Sequence, residues 1–349
     1  MKTSGAQKNN LKRNNHFLSQ MYLEAWKNSN NKVMVYELLV PNEKVPLWIP
    51  KSTKSIGSID SLFVRLKNNE EIDDIEEWFA TKYESPAKEA LEKAKNGGRI
   101  SVDEWHQLID FLACHIVRSP AFLANTLEKA KQECISIFEE KVEDISTITP
   151  SEMKKTINEM KANKNNELFP IKITDLGDDE SGENKILKIE TIFGKQFYLW
   201  IMKHLLEETA KILHKHKWSI ITVDEKVVLP TSDNPVICLN YNNEKGYDFD
   251  GGWGSKNSNI VFPISPNKIL YTQVGCKNLP RLKLNYKMSI IFKRIIVEHS
   301  FRCVISNFED NDIPKIKSRY VNLYEFKREK EMWANFQKEY IQTESEYIK

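Results

Sequence analysis

The stretch VVLPTSDNPVICLN, Val227 to Asn240, decides how the C-terminal half is read. Apolar, largely β-branched residues flank it, and Thr231, Ser232, Asp233, Asn234 and Pro235 fill its centre. The flanks predict strands. The centre predicts a turn, because these residues bond their own backbone or fix φ. Two explanations fit a polar turn there. Asp233 serves only an Asx-turn between two strands, or the strands are the scaffold of a site that holds polar atoms rigidly at a strand end.

Outward from that stretch, SIITVDEKVV, NIVFPISPNKILYTQV and MSIIFKRIIVEHS carry period-two patterns and predict three to five strands. They place a β-rich subregion at about 218–326, followed by a long exposed helix at about 323–345. FPISP, Phe262 to Pro266, is a proline-bracketed bend that suggests an edge strand. Upstream lies a helical subregion at about 70–217. Its first helix, from Asp73, puts Ile75, Trp78, Phe79 and Tyr83 on one face and stops at NGG. The next starts at Ser101 with Glu104 in capping-box position, and Pro120 ends or kinks it near Arg118. TPSEMKKTINEMKANKNN is read as a polar helix, and 163–184 as a loop or linker. KQFYLWIMKHLLEETAKIL sets Leu199, Met202, Leu206 and Ala210 in helical register. HKHKW, with His214 and His216, is read as a solvated helix end. At the start, residues 1–14 form a flexible basic arm, NHFLSQMYLEAW (Asn15–Trp26) a helix capped by Asn15, and KVMVYELLV (Lys32–Val40) a strand. A lone strand is unstable, so this one should join the C-terminal sheet. The fold class is α+β: one domain over 15–349, its helical middle packed on a mostly antiparallel C-terminal sheet joined by an N-terminal strand.

The 349 residues carry 51 basic and 49 acidic side chains, a balance that argues against a generic nucleic-acid coat. The five cysteines are scattered, with no CxxC pair, which fits reduced thiols in a cytoplasm and no zinc site. No apolar run reaches the ~20 residues that cross a bilayer, so no membrane partner is expected and the location is cytoplasmic. GGWGSKNSN, Gly251 to Asn259, is glycine-rich but follows no βαβ pattern, which favours a hairpin loop over a phosphate site.

Three motifs carry chemistry. His16 and Gln20 lie four apart on the first helix, with Tyr22 and Trp26 nearby, so an acid–base imidazole faces an orienting amide. The alternative is a core histidine bonded to backbone. CHIVRSP places His115 and Arg118 three apart beside a helix break, as an anion ligand or as a surface ion pair. TSDNP offers Asp233 to orient an imidazole.

In order and spacing these motifs resemble the bacterial domain-of-unknown-function family 4238. HFLSQMYL matches its H-[FY]-[IVL]-[PS]-Q-x-[YF]-L motif, with His16, Gln20, Tyr22 and Leu23 in place. KVMVY, IDSLFV and IEEWFATKYES, the last with Glu77 and Glu84, resemble the next elements, and VRSP, TSDNPV, FPISP and YVNLYEF the later ones. The family's members look like accessory or effector proteins of mobile elements and defence loci. The resemblance implies a shared polar site that includes His16, Gln20 and Asp233.

Two functions follow as expectations. The first is a metal-independent hydrolase, most simply a nuclease acting on RNA, working without cofactor as a toxin or anti-phage effector. His16 and Asp233 would be catalytic. Gln20, Tyr22, Thr231, Ser232 and Ser265 would contact substrate, Arg118 would hold a phosphate, and the Lys-rich arm and Trp253 would grip a strand. The second is a non-catalytic sensor or binding module for a nucleotide-like or peptide ligand. In both cases the partners are RNA or a nucleotide, and a protein of the same defence or toxin–antitoxin locus.

Overall fold

A computed structural model describes residues 11–67, 70–125, 129, 132, 171–178, 185–191, 194–242, 246–277 and 281–348. The N-terminal part contains β1 (Asn14–His16), α1 (Gln20–Leu23), a 3-10 turn (Glu24–Trp26), β2 (Val33–Glu37), β3 (Leu39–Val40), β4 (Ile49–Lys51), β5 (Ser58–Asp60), β6 (Arg65–Lys67) and β7 (Glu70–Ile72). Helices follow: α2 (Asp74–Phe79), a π-turn (Ala80–Glu84), α3 (Ser85–Asn96) and α4 (Val102–Arg118). Next come β8 (Ile171–Asp178), β9 (Lys185–Thr191) and α5 (Lys195–Leu213). The C-terminal part has β10 (Ser219–Thr222), β11 (Thr231–Ser232), β12 (Ile237–Asn242), β13 (Gly246–Asp248), β14 (Asn259–Ser265), β15 (Lys268–Gln273) and β16 (Arg281–Lys283). It ends with α6 (Tyr286–His299), β17 (Cys303–Ser306), α7 (Ile313–Ile316), β18 (Tyr320–Val321) and α8 (Leu323–Ile348).

The fold is α+β. A six-stranded sheet runs β13-β12-β14-β15-β10-β16, antiparallel except for β10–β16. A four-stranded antiparallel sheet runs β11-β17-β2-β4, so the N-terminal strand does join C-terminal strands. The periodic helices form as their sequences dictate. Ser101 and Glu104 make a reciprocal capping box, α4 stops at Arg118, and Gly97 closes α3 at φ 79°. Leu199, Met202 and Leu206 of α5 are fully buried in the main core, together with Phe111 and Leu112 of α4 and Phe262 of β14.

Five expectations are corrected. Residues 15–26 are not one helix: β1 pairs with β5, and α1 begins only at Gln20. Asn15 is buried, and its Oδ1 accepts from Phe63 N at 2.8 Å instead of capping a helix. The described part of the 163–184 linker is strand, because β8 pairs with β9. MSIIFKRIIVEHS is helix α6, capped by Asn285, whose Oδ1 accepts from Met288 N at 3.0 Å. Its Ser289, Phe292 and Ile296 are buried at helical spacing, and that packing overrides the strand preference of its isoleucines. β14 is an interior strand. Its Pro263 is tolerated because pairing with β12 ends at Val261 and the β15 register shifts between Pro263 and Ser265. The HKHKW histidines are bonded, not solvated: His214 Nε2 donates to Asp110 Oδ1 and His216 Nε2 to the Trp253 carbonyl, each at 2.7 Å. The TPSEMKKTINEMKANKNN segment and residues 1–10 of the arm lie outside the described residues. Among the described residues no helix is long and apolar enough to cross a membrane.

Candidate functional site

Directly after β1 the chain turns against Gly57, whose carbonyl accepts from Phe17 N and Leu18 N. Gly57 has φ +67°, and a Cβ there would sit 2.7 Å from Leu18 Cβ, so the turn that presents His16 requires glycine.

His16 lies beside α2, with its side chain 12% exposed. Glu76 Oε1 accepts from the His16 backbone N at 3.3 Å and lies 3.6 Å from Nδ1. Gln20 Nε2 is 3.2 Å from His16 Nε2, and the Lys54 carbonyl is 3.4 Å from it. The carboxylate beside Nδ1 favours the Nδ1–H tautomer, which leaves the Nε2 lone pair to accept from the Gln20 amide. His16 and Gln20 thus meet across a strand-to-helix turn, not along one helix.

Arg118 approaches from the end of α4. It is 2% exposed, donates from Nη1 to Glu84 Oε1 at 2.6 Å, and donates from Nη2 to the His16 carbonyl. Its guanidinium carbon lies 4.4 Å from the Phe79 ring centroid. Burial pushes the Glu84 carboxyl up, but the charge and hydrogen bond of Arg118 outweigh it and hold Glu84 below the usual carboxylate range. Arg118 is therefore a buried clamp on the backbone of His16, not an exposed phosphate ligand. One turn earlier, His115 donates from Nδ1 to the Phe111 carbonyl at 2.8 Å, and its Nε2 faces Ser19 N at 3.5 Å. Burial holds its pKa down at about 4, so it is neutral at pH 7.

Two side-chain atoms in this neighbourhood are buried without a hydrogen-bond partner: Glu76 Oε2 and Arg118 Nε. Each such atom costs about 1–3 kcal/mol.

The other predicted residues lie elsewhere. Tyr22 is fully buried, stacked on Phe262 at 5.0 Å, and donates to the Pro263 carbonyl at 2.7 Å. Its single proton thus used, it accepts from Thr231 Oγ1 at 2.6 Å. That pair ties the HFLSQMYL motif to the TSDNP turn, yet neither residue has surface to offer a substrate. Asp233 is 1% exposed, and its Oδ1 and Oδ2 accept from Phe301 N at 3.0 Å and Arg302 N at 2.7 Å. Among the described residues Asp233 and His16 share no partner. The carboxylate that meets His16 is Glu76 instead. Ser232 Oγ accepts from Asn234 N at 3.2 Å, and Ser265 Oγ donates to Asn267 Oδ1 at 2.8 Å, so both hydroxyls serve local turns. Trp253 packs partly buried against the main core. Among the described residues no group of three or more His, Cys, Asp or Glu side chains could hold a metal.

A family model described as a protein of unknown function, DUF4238, matches residues 14–329. The chain belongs to that family. No curated protein and no solved structure matches it. Within the matched span the HFLSQMYL and RSP motifs meet through the contact between Arg118 and the His16 carbonyl. Glu76 was hidden in IEEW: the run announces an acidic helix start but nothing that links it to a histidine sixty residues earlier.

Proposed function

We propose that this member of the family is a metal-independent hydrolase acting on RNA, with His16 as its acid–base group, and that it serves as a toxin or defence effector. The observation that carries the proposal is the His16 imidazole, set between the Glu76 carboxylate and the Gln20 amide and 12% exposed, beside buried polar atoms that have no partner. RNA supplies its own nucleophile. The 2′-hydroxyl displaces the Gln20 amide from the Nε2 lone pair, His16 Nε2 takes its proton, O2′ bonds to phosphorus, and the P–O5′ bond breaks. The leaving O5′ takes a proton from water or from the imidazolium, giving a 2′,3′-cyclic phosphate. Glu76 stabilises the imidazolium that forms between these steps, and Gln20 orients the ring.

The test compares growth arrest on expression, and cleavage of total RNA by purified protein, between wild type and two variants. His16→Ala should lose about 10²–10⁴-fold in cleavage rate, the usual worth of a positioned general base. Glu76→Gln should lose less and keep KM, since it acts through His16. Wild-type protein that leaves RNA intact, or His16→Ala protein that cleaves it at full rate, removes the proposal. One observation favours the second reading, a non-catalytic sensor or binding module: the Arg118 guanidinium is turned onto Glu84 and the His16 carbonyl, which leaves it unavailable to a phosphate. In that case His16→Ala abolishes binding of a nucleotide-like or peptide ligand, and no turnover is seen.

A further inference from the structure

Lys82 and Lys203 lie over the ring of Trp78 on α2, with Arg65 and two carboxylates, Asp74 and Glu207, acting on Lys203. Arg65 binds Asp74 in a two-pronged ion pair at 3.0 and 2.6 Å. Lys82 lies 3.6 Å from Glu207 and 5.3 Å from the Trp78 ring centroid. Lys203 of α5 is the one left over. Its ammonium sits 4.9 Å from the Trp78 centroid, and it makes no ion pair or hydrogen bond with a described residue. It is also partly buried. Burial first, and Arg65 second, hold its pKa below the ordinary lysine range. A partly desolvated ammonium carries three donors, and a cation–π contact satisfies none of them. An anion would. The next residue, His204, is exposed and stacks flat on Trp200, with ring centroids 5.3 Å apart and planes 1° from parallel. A cation with unused donors and an exposed flat ring, on consecutive residues of α5, are the two kinds of contact that a phosphate and its base require.

We propose that Lys203, with Lys82 beside it, is a phosphate-binding site, and that the His204–Trp200 stack receives the adjoining base. The proposal supplies the phosphate contact that Arg118 cannot make. It rests on the hydrolase reading only for the choice of RNA over a mononucleotide.

The experiment measures fluorescence anisotropy of a labelled single-stranded RNA of about 10 nucleotides, near the footprint of a short stacking surface. The protein is wild type, and the probe and the unlabelled RNA carry 2′-O-methyl groups so that both stay intact. Inorganic phosphate and adenosine monophosphate compete in separate arms. Lys203→Met should weaken RNA binding about tenfold and lower the salt slope by about one, the signature of one lost phosphate contact. Lys203→Arg should retain binding, and Lys226→Met, a charge control in the β10–β11 loop, should not change it. Lys203→Gln is the second variant if the methionine protein does not fold. Competition by the monophosphate as strong as by unlabelled RNA assigns the site to a mononucleotide, and competition by RNA alone assigns it to a strand. The proposal is overturned if the parent binds none of the three probes, or if Lys203→Met and Lys203→Gln bind as the parent does. Cleavage of RNA that is indifferent to Lys203 sinks this proposal alone, and binding without cleavage sinks the hydrolase alone.

Discussion

Glu76 and Asp233 are two carboxylates in one molecule, and their oxygens are treated differently. Both oxygens of Asp233 accept backbone N–H groups, from Phe301 and Arg302, at the turn between α6 and β17. Of Glu76, one oxygen accepts from His16 N, and the other is buried with no partner. The first arrangement is a closed clip. The second is half open and faces a titratable ring. Glu76 thus keeps one oxygen uncommitted beside the His16 ring, whereas Asp233 has committed both of its oxygens to the backbone. The TSDNP turn that stood out in sequence is thus a joint: Asp233 fixes the α6–β17 turn, and Thr231 fixes Tyr22.

The comparison breaks most forcefully at Arg118, which underlies the His16 side. Arg118→Met should destabilise the fold by about 3–5 kcal/mol, because it leaves Glu84 as a buried charge without its partner. It also removes the donor to the His16 carbonyl. Urea unfolding measures the loss. A loss under 1 kcal/mol would return Arg118 to the pool of free anion ligands. Arg118→Lys should fall in between, since an ammonium cannot reach both acceptors in a fork.

Acid should act next. His115 and His299 have pKa values held down to about 4 by burial, against 6.5 when unfolded. Between those values the unfolded chain binds more protons than the folded one. The stability that each neutral imidazole provides is therefore complete above pH 6.5 and is lost as pH falls through 4. At 1.36 kcal/mol per pKa unit, each loses about 2–3 kcal/mol over that window. His115→Gln should flatten this part of the profile, whatever its stability at pH 7. Urea midpoints at pH 7 and pH 5 test it, and equal slopes for wild type and variant contradict it. Asp233 works in the opposite sense: burial raises its pKa, so its contribution is complete in acid and declines as pH rises through its folded value.

Elements that depend on their own periodicity and caps were legible: α4 with its Ser101–Glu104 box, α3 with Gly97, and α5 with its apolar stripe. Elements defined by a distant partner were not. β1 exists because β5 lies beside it some forty residues on, and no local pattern at Asn14–His16 announces that. α6 was masked by isoleucines that suit either period. Of the candidate residues the structure brings His16, Gln20 and Arg118 together, and the carboxylate beside the histidine is Glu76, not Asp233. Asp233 sits in a conspicuous turn, and conspicuous turn chemistry serves the backbone more often than catalysis. Glu76 gains its meaning only when α2 docks on β1.

The smallest predicted effect separates the two carboxylates most cleanly. Asp233→Asn keeps one acceptor for either Phe301 N or Arg302 N, and turns an NH2 group against the other donor. One backbone N–H is then buried without a partner, which costs about 1–2 kcal/mol. The turn between α6 and β17 loosens, while Asp233 itself touches neither His16 nor a hydrogen-bond partner of His16. The variant should melt earlier and cleave RNA at the wild-type rate once folded, the inverse of Glu76→Gln, which should keep its melting temperature and lose rate. Thermal melts and single-turnover cleavage on the two proteins give the four numbers needed. Were Asp233→Asn to abolish cleavage with an unchanged melt, the TSDNP turn would be catalytic after all, and the orphaned oxygen of Glu76 would need another explanation.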